Sequence, residues 1–340
     1  MKKISKVFQF PVAVSLLILS FTSISCGQTN GDVTIEIEQF HPSLGQLINL
    51  KAEVEILGNG FEWTEGPLWI EDHQMLIFSD IPQNSIFQWT AAEGVELYLK
   101  PSGYTGKQSR GGETGSNGLI LDPEGNLVLC QHGDRRMAVM EAPLDKPSPD
   151  YKSIAESHGG KKFNSPNDAV YHGNGDLYFT DPPYGLEKNM QDPLKEIAYQ
   201  GVYKVDNQGE VSLLLDSLTR PNGIAFLPGE KTMLIANSDP SKPYWYAYEL
   251  DEEGMLVNGR IFYDATEASK KDSGMPDGLK VDKNGTVYAT GPGGIWIFDR
   301  EGEALGRIKV NRATSNCALA DQDQTLYVTA DDSVIKIDLK

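Results

Sequence analysis

Six polar residues recur along the chain at the same place in a repeated pattern. Each lies at a short step of small residues, which leads into a hydrophobic strand, a polar turn and a second strand. By subtraction of their positions, the steps between them are 50 to 55 residues four times and 39 residues once. Only Glu, Asn and Asp occupy this place, which we call the polar slot: Glu65, Asn117, Asn167, Asn222, Asp277 and Asn316. If the repeats form a ring, these side chains converge on one axis as ligands for a hard cation.

The residue types in the polar slots indicate which cation they would suit. Ca²⁺ binds about six to eight oxygen atoms and tolerates irregular geometry. Glu65 and Asp277 would neutralise its charge, and amide oxygens and water would complete the shell. Zinc and copper prefer His or Cys, which no slot contains. A single Asn-Gly or Asp-Gly step is more often a turn than a ligand, but turn chemistry alone does not explain six such positions in register.

The segments between the slots predict four strands in each repeat. Val, Ile, Leu, Tyr and Phe dominate these segments, and turns rich in Gly, Asn and Asp separate them. The third and fourth strands are predicted at Ser85–Trp89 and Val95–Leu99, at Gly201–Val205 and Val211–Leu215, and at Ile295–Asp299 and Leu305–Val310. The expected fold is therefore all-β, a six-bladed β-propeller with four-stranded antiparallel blades.

An N-terminal strand is expected to close this ring. The sixth repeat has room for only about three strands before the chain ends, the last at Val334–Leu339. Its fourth strand would come from Ala52–Leu57, so the propeller domain would span residues 51–340. The long connections all fall on the slot side of the blades, where loops usually carry function or form lids.

Composition limits the partners of the chain. The 340 residues carry a formal net charge of −18, which argues against a nucleic-acid partner and gives no support for binding of anionic lipid by the folded domain. We expect a monomer or a weak oligomer. Past the N-terminal region only Cys130 and Cys317 remain, and two buried free thiols are expected in preference to a single bridge.

The N-terminus has the pattern of an export signal. Residues 1–25 combine early lysines with a short apolar run and small residues, which is typical of a signal peptide. Cys26 then resembles the lipidated cysteine of a bacterial lipoprotein, although Ser23 stands where that signal usually has Leu. Residues 26–50 would be the lipidated Cys and a tether. We therefore expect an exported bacterial protein, periplasmic or attached to the outer membrane, with the lipid as its only membrane contact; a plain secreted protein is the alternative.

Several motifs carry a resemblance to a known family. They cover nearly all of the chain after about residue 50: Thr64-Glu65-Gly66-Pro67, Phe163-Asn164-Ser165-Pro166-Asn167-Asp168, Thr180-Asp181-Pro182-Pro183-Tyr184-Gly185, Arg220-Pro221-Asn222-Gly223 and Pro276-Asp277-Gly278. As a set they resemble the gluconolactonase family that also contains regucalcin (senescence marker protein). Members of that family are six-bladed propellers with a divalent cation in the central channel.

The resemblance implies an activity and a set of site residues. The cation would be held by Glu65, Asn222 and Asp277, with Asn167 a further ligand or a substrate contact, and Asp277 would also be the general base. We assign all four to the metal site. The cofactor would be Ca²⁺, or another divalent cation such as Mg²⁺, Mn²⁺ or Zn²⁺. Ser165 replaces an arginine that contacts substrate in the animal members, which leaves the identity of the sugar open.

Five further residues are expected to contact a small-molecule sugar lactone. Asn117 and Asn316 would line the channel, and Asn164 belongs to the motif around Asn167 in the third repeat. His132 ends a second strand on the slot side and would contact substrate or act as an acid or base, unless it is an ordinary loop histidine. Tyr184 lies in a loop on the same side, where it would line the pocket or pack the loop down.

The expected reaction is divalent-metal-dependent hydrolysis of a sugar lactone. The metal would polarise the lactone carbonyl while Asp277 takes a proton from water. Two alternatives stay open. The same site would act on other lactones, phosphotriesters or sugar derivatives, or the propeller would only bind a carbohydrate or a protein.

Overall fold

The computed structural model describes residues 33–340, which form a six-bladed β-propeller. Three elements precede the first blade: β1 (Ile35–Gln39), the short helix α1 (Leu44–Leu47) and β2 (Val54–Asn59). Blade 1 contains β3 (Thr64–Ile70), β4 (Met75–Asp80), β5 (Ser85–Thr90) and β6 (Gly94–Leu99), and blade 2 contains β7 (Ser116–Leu121), β8 (Leu127–Gln131), β9 (Arg136–Met140) and β10 (Tyr151–Ala155). A small hairpin follows, made of β11 (Ser157–His158) and β12 (Lys161–Lys162). Blade 3 contains β13 (Ala169–Tyr171), β14 (Leu177–Asp181), β15 (Gly201–Val205) and β16 (Val211–Leu215).

The second half of the chain repeats this arrangement. Blade 4 contains β17 (Pro221–Phe226), β18 (Thr232–Asp239), β19 (Lys242–Leu250) and β20 (Leu256–Asp264). After helix α2 (Thr266–Ser269), blade 5 contains β21 (Leu279–Val281), β22 (Val287–Gly291), β23 (Gly294–Phe298) and β24 (Ala304–Val310). Blade 6 contains β25 (Thr314–Ala320), β26 (Thr325–Ala330) and β27 (Ser333–Asp338). Two 3₁₀ turns occur at Glu71–His73 and Asn189–Gln191. Within each repeat, neighbouring strands follow one another along the chain and pair antiparallel, and β1 and β2 join blades 5 and 6 from the N-terminal side.

The predicted strands and ring closure are confirmed. The third and fourth strands of blade 3 coincide with the predicted ranges, and those of blades 1 and 5 agree within one residue at each end. The N-terminal strand β2 pairs antiparallel with β27, with Val54 opposite Ile337, and becomes the outer strand of blade 6. Both ends of the propeller therefore share one sheet.

The segment predicted as a tether is folded over its described part. Strand β1 pairs antiparallel with β24, with Ile35 opposite Val310, and makes blade 5 five-stranded. Leu44 and Ile48 are completely buried beside it. The apolar side chains of this segment pack in a core that the sequence pattern did not reveal, and β1 covers the edge of β24, whose backbone groups would otherwise lack partners. The predicted signal peptide and the predicted lipidation site, Cys26, fall within residues 1–32, which lie outside the described residues.

Hydrogen bonds near the axis join each blade to the next. In four blades, a Ser or Thr hydroxyl of the second strand donates to a backbone carbonyl at the innermost segment of the following blade: Ser79 to Asn117, Thr180 to Asn222, Ser238 to Pro276 and Thr290 to Ser315. Ser315 Oγ donates to the Thr64 carbonyl over 2.7 Å and so links blade 6 to blade 1. These bonds hold the residues of the polar slots in one ring.

Apolar cores fill the spaces between the blades. Cys130 and Cys317 are both buried and free, as expected, and belong to two of these cores. Across residues 33–340 no helix is long and apolar enough to cross a membrane.

The contact between β1 and blade 5 includes a testable ion cluster. Arg307 on β24 donates to Glu38 on β1 over 2.7 Å, lies 2.9 Å from Asp272 and stacks over the ring of Trp296. We expect Arg307→Met to lower the free energy of unfolding by roughly 1–3 kcal/mol, because it removes the buried charge that pairs with both half-buried carboxylates and leaves them only the more distant Lys309. Urea denaturation measures this, with the exposed Arg300→Met as control. Equal free energies of unfolding for the two variants would contradict the proposed contribution of the ion cluster to stability.

Candidate active site at the mouth of the channel

A polar cavity of about 260 Å³ lies at the slot side of the channel. Its wall is formed by residues of blades 1 to 5 and of their connections: Trp63, Glu65, Glu113, Asn117, Asn167, Tyr184, Arg220, Asn222, Ser238, Met275 and Asp277. Five of the six polar slots are among them. The wall also includes residues from the links between blades and from the loops that join second to third strands. The expected convergence of the slots and the long connections on one face is therefore observed.

Glu65 is held at the axis by an unusual local backbone. Strand β3 has a bulge between Glu65 and Leu68, and Gly66 adopts a positive φ of 51°. A Cβ on Gly66 would lie 2.1 Å from the carbonyl oxygen of Asn117, so only glycine permits this approach of blades 1 and 2. The Gly66 N–H donates to Glu65 Oε2 over 2.9 Å. The carboxylate is thus fixed close to the start of blade 2.

The two asparagines of the predicted metal set are oriented differently. Asn222 Nδ2 donates to Ser238 Oγ over 3.2 Å, which leaves its Oδ1 as the acceptor available to the channel. Asn167 is held through its backbone, because its N–H donates to Thr180 and its carbonyl accepts from Gly118. Both side chains are almost completely buried. The structure therefore brings Glu65, Asn167, Asn222 and Asp277 together around one cavity.

Asp277 presents a free oxygen to this group. Its backbone N–H donates to the Thr290 carbonyl over 3.0 Å, which fixes it just before β21. Its Oδ1 is buried and has no hydrogen-bond partner within the protein. Because a buried carboxylate oxygen normally accepts at least one hydrogen bond, this atom indicates a site for a ligand or a reacting group.

The electrostatics of Glu65 and Asp277 also favour a nearby positive charge. Burial, with a smaller contribution from the charge of Asp168, raises the pKa of Glu65 from its ordinary 4.5 to about 8. Burial, followed by the charges of Glu65, Asp168 and Glu113, raises the pKa of Asp277 well above its ordinary value. Two carboxylates this close disfavour each other's ionised form unless a cation lies between them.

The donor atoms fit a hard divalent cation. Glu65 and Asp277 supply carboxylate oxygens, and Asn117 Oδ1 is a second buried oxygen without a partner. Within residues 33–340, no group of three or more His, Cys, Asp and Glu side chains is arranged to hold a metal ion, so the asparagine amides would have to complete the shell. Such an all-oxygen set suits Ca²⁺ or Mg²⁺ better than Zn²⁺.

Asn117 and Asn316, both predicted to line the channel, differ in position. Asn117 forms part of the cavity wall. Asn316 lies outside it and deeper in the channel, where its Oδ1 accepts from the Cys317 N–H over 2.9 Å and from Lys280 Nζ over 3.3 Å. Hydrogen bonding from Asn316 also lowers the pKa of Glu65 and Asp168, against the larger effect of burial. Asn316 therefore supports the site from below.

His132 is buried behind the cavity wall. Its side chain is completely inaccessible, and its Nδ1 lies 3.4 Å from Glu113 Oε2. Glu113, from the link between blades 1 and 2, is the residue that reaches the cavity. The chain order could not reveal this, because Glu113 and His132 meet only when the link folds back over β8. The predicted contact of His132 with substrate would therefore have to pass through Glu113.

Asn164 is likewise buried away from the cavity. Its Nδ2 donates to the carbonyls of Asp181 and Tyr199, each over 2.9 Å. Its N–H and that of Ser165 donate to the two carboxylate oxygens of Asp181 over 2.8 and 2.7 Å. Asn164 thus fixes the loop that carries Asn167, which is a structural position and not a place at the wall.

Two polar residues form the upper wall near Asp277. Tyr184 lines the cavity, as expected, and burial, with the charge of Asp277, raises the pKa of its hydroxyl far above the ordinary value, so it stays protonated and can donate. Arg220 directly precedes the slot motif of blade 4 and brings a positive charge to the same wall. The position of Arg220 beside Pro221-Asn222 was the signal in the sequence, but the prediction of site residues omitted it.

A six-bladed propeller with an oxygen-lined, carboxylate-bearing mouth defines the class of this protein. Comparison with known proteins agrees: residues 63–332 match the family described as SMP-30/Gluconolactonase/LRE-like region, and the chain belongs to that family. A gluconolactonase of Zymomonas mobilis subsp. mobilis is 35% identical over 317 residues, 92% of this chain and 88% of that protein.

Solved structures show the same fold. A gluconolactonase of Xanthomonas campestris superposes with a TM-score of 0.76 at 26% identity, over 91% of this chain and 98% of that chain. A calcium-binding regucalcin of Agrobacterium tumefaciens superposes with a TM-score of 0.64 at 17% identity, over 84% and 94% of the two chains. At that identity the second likeness concerns the fold alone.

The raised pKa of Glu65 predicts how the stability of the cation-free protein depends on pH. Because the folded value of about 8 exceeds the ordinary 4.5, folding favours the protonated form. This contribution to stability is complete below pH 4.5 and is lost as pH rises through about 8. In excess chelator, we expect the melting temperature to fall by several degrees more between pH 5 and 8 in the wild type than in Glu65→Gln.

The exposed Glu93→Gln variant of the same blade is the matched control and should follow the wild type. Identical slopes of melting temperature against pH for the wild type and Glu65→Gln would show that ionisation of Glu65 does not lower the stability of the protein.

Proposed function

We propose that the protein is a divalent-cation-dependent lactonase that hydrolyses a sugar lactone at the mouth of the channel. The observation that carries the proposal is the pair of carboxylates in the cavity wall, the buried Glu65 and the half-buried Asp277, whose Oδ1 is itself buried and free of hydrogen bonds. The 35% identity to a gluconolactonase over most of both chains supports the substrate class.

The residues at the cavity have complementary roles in this proposal. Glu65, Asn167, Asn222 and Asp277 would hold the cation, with Asn117 Oδ1 as a further acceptor in the same wall. A bound divalent cation would supply positive charge that keeps both carboxylates ionised and polarises a carbonyl oxygen. Tyr184 and Arg220 would donate hydrogen bonds to the hydroxyl groups of the sugar and orient the ring over Asp277.

Asp277 would be the general base. Its free Oδ1 accepts a proton from a water molecule as that water attacks the lactone carbonyl carbon. The bond between the carbonyl carbon and the ring oxygen then breaks, and the ring oxygen takes up the proton from Asp277. The product is an open-chain hydroxy acid, and Asp277 returns to its starting state.

An acid-to-amide substitution tests the base separately from the fold. Because Asn keeps an oxygen for the cation but cannot take a proton, we expect Asp277→Asn to lower kcat at saturating cation by about 10²-fold or more on glucono-1,5-lactone. Hydrolysis is followed in a pH-stat after subtraction of the spontaneous rate. Asp299→Asn, in a turn on the opposite face, is the control and should retain wild-type kcat.

Two outcomes would contradict the proposal. A wild-type rate that chelator leaves unchanged would exclude dependence on a cation. Full activity of Asp277→Asn would exclude Asp277 as the base. A panel of other lactones, sugar esters and phosphotriesters, run on the reconstituted protein, would show whether a different substrate class is preferred.

We also propose export as a lipoprotein, with residues 1–25 removed and Cys26 lipidated. The pattern of the N-terminal sequence supports this, and these residues lie outside the described part of the chain. In a bacterial host, labelled palmitate should enter the wild-type protein and not Cys26→Ser, which should leave the membrane fraction. Equal labelling of the two proteins would contradict lipidation at this cysteine.

A further inference from the structure

Two residues depart from the repeat in places where the other blades agree. The residue after the polar slot is Gly or Cys in five repeats, whereas the third repeat has Asp168. The third residue after the slot is charged only in the fifth repeat, where it is Lys280. The equivalent residues of the other repeats are apolar and pack between blades: Leu68, Ile120, Val170, Ala225 and Leu319.

The fold brings these two departures together inside the channel. Lys280 Nζ lies 4.0 Å from Asp168 Oδ2, although the two residues belong to blades 5 and 3. The same ammonium group lies 3.3 Å from Asn316 Oδ1 of blade 6 and 3.1 Å from the Leu279 carbonyl. One lysine side chain therefore contacts oxygen atoms of three blades.

Lys280 comes from the opposite face of the propeller. Its side chain is 29% exposed and lines a cavity of about 550 Å³ beside the turns of blades 4 and 5. The stem of the side chain is thus partly solvated while its charged end points into the channel, an arrangement that is common for lysine. The ammonium group lies at the end of the channel that faces away from the mouth.

Asp168 is a buried charge that depends on this lysine. Its side chain is 3% exposed. Its Oδ1 accepts from the Ala169 N–H over 2.9 Å, but its Oδ2 is buried without a hydrogen bond. A buried carboxylate is costly unless a positive charge compensates it. Within residues 33–340, Lys280 is the side-chain cation that lies within ion-pair distance of Asp168.

The charges of the channel then match one divalent cation. Glu65, Asp168 and Asp277 are acidic and Lys280 is basic, which leaves two formal negative charges in this inner group. The geometry points to Lys280 as a built-in counter-ion, which neutralises Asp168 and holds Asn316 beneath Glu65. The inner group then keeps two negative charges, which a single divalent cation balances. This inference rests on the proposed cation site.

A role in stability alone would not explain the arrangement. Five repeats fill the equivalent place with an apolar side chain, and replacing a buried ion pair by well-packed apolar groups is often neutral or stabilising. The pair instead places a fixed positive charge at the distal end of a channel whose other acidic groups face the mouth. Lys280 is therefore a positioning residue, which acts on the site through Asp168 and Asn316.

Restoring the charge balance by a second substitution tests the inference. Asp168→Asn raises the net charge of the inner group by one, so we expect the dissociation constant for Ca²⁺ to rise at least about 10-fold. In the double variant Asp168→Asn with Lys280→Met the balance returns, and we expect recovery to within about threefold of the wild type. Isothermal titration of chelator-stripped protein with CaCl₂ at constant pH and ionic strength measures both constants.

Lys283→Met is the matched control, because Lys283 lies three residues further on and is 65% exposed. It should bind Ca²⁺ as the wild type does. The melting temperature in excess chelator is measured for every variant. If Asp168→Asn alone does not fold, recovery of folded protein in the double variant supports the pairing, and failure to recover overturns it.

The outcomes separate this inference from the proposed function. Wild-type affinity in Asp168→Asn, or a double variant that binds as weakly as Asp168→Asn, would overturn the role of Lys280 while the cation site stands. Wild-type protein that binds no Ca²⁺, Mg²⁺ or Mn²⁺ would overturn the cation site itself.

Discussion

Around the axis of the propeller, Ser and Thr hydroxyls donate to backbone carbonyls of the next blade, and glycine lets neighbouring backbones come very close. A Cβ on Gly223 would lie 2.3 Å from the Asp277 carbonyl oxygen, and one on Gly66 would lie 2.1 Å from that of Asn117. Any larger residue would push the blades apart and enlarge the ring. The size of the central cavity, and hence the distances among its polar groups, follows from these contacts.

This close approach has an electrostatic consequence. It forces Glu65, Asp168 and Asp277 into one poorly solvated channel, where burial raises the pKa of all three. Ionisation of three neighbouring carboxylates in such a place is unfavourable by itself, and a positive charge beside them offsets this cost. The fold provides one such charge from Lys280 and leaves the mouth suited to a second from solution. In the proposed function, stability and cation binding are therefore linked through the same side chains.

The mouth of the channel combines rigid and adaptable parts. The slot residues stand at strand ends that the blade-to-blade hydrogen bonds fix, which is the kind of support that a precise site requires. Glu113, Tyr184 and Arg220 stand on connections above them. Variation at the exposed positions of those connections can change which sugar fits without disturbing the residues at the axis.

The sequence by itself determined the number of blades, most of their strands, the closing strand and the polar slots, because each of these leaves a local or periodic signal. It could not determine that residues 33–50 pack on blades 5 and 6, since that segment has no repeat to reveal its partner. Nor could it determine that Asn164 and His132 stand behind the wall, or that Glu113 reaches it. Only the tertiary structure decided that Asp168 and Lys280, 112 positions apart by subtraction of their numbers, meet across the channel. The physical reason is that periodicity reports which face of its own blade a residue occupies, whereas distances across the axis depend on how all six blades pack.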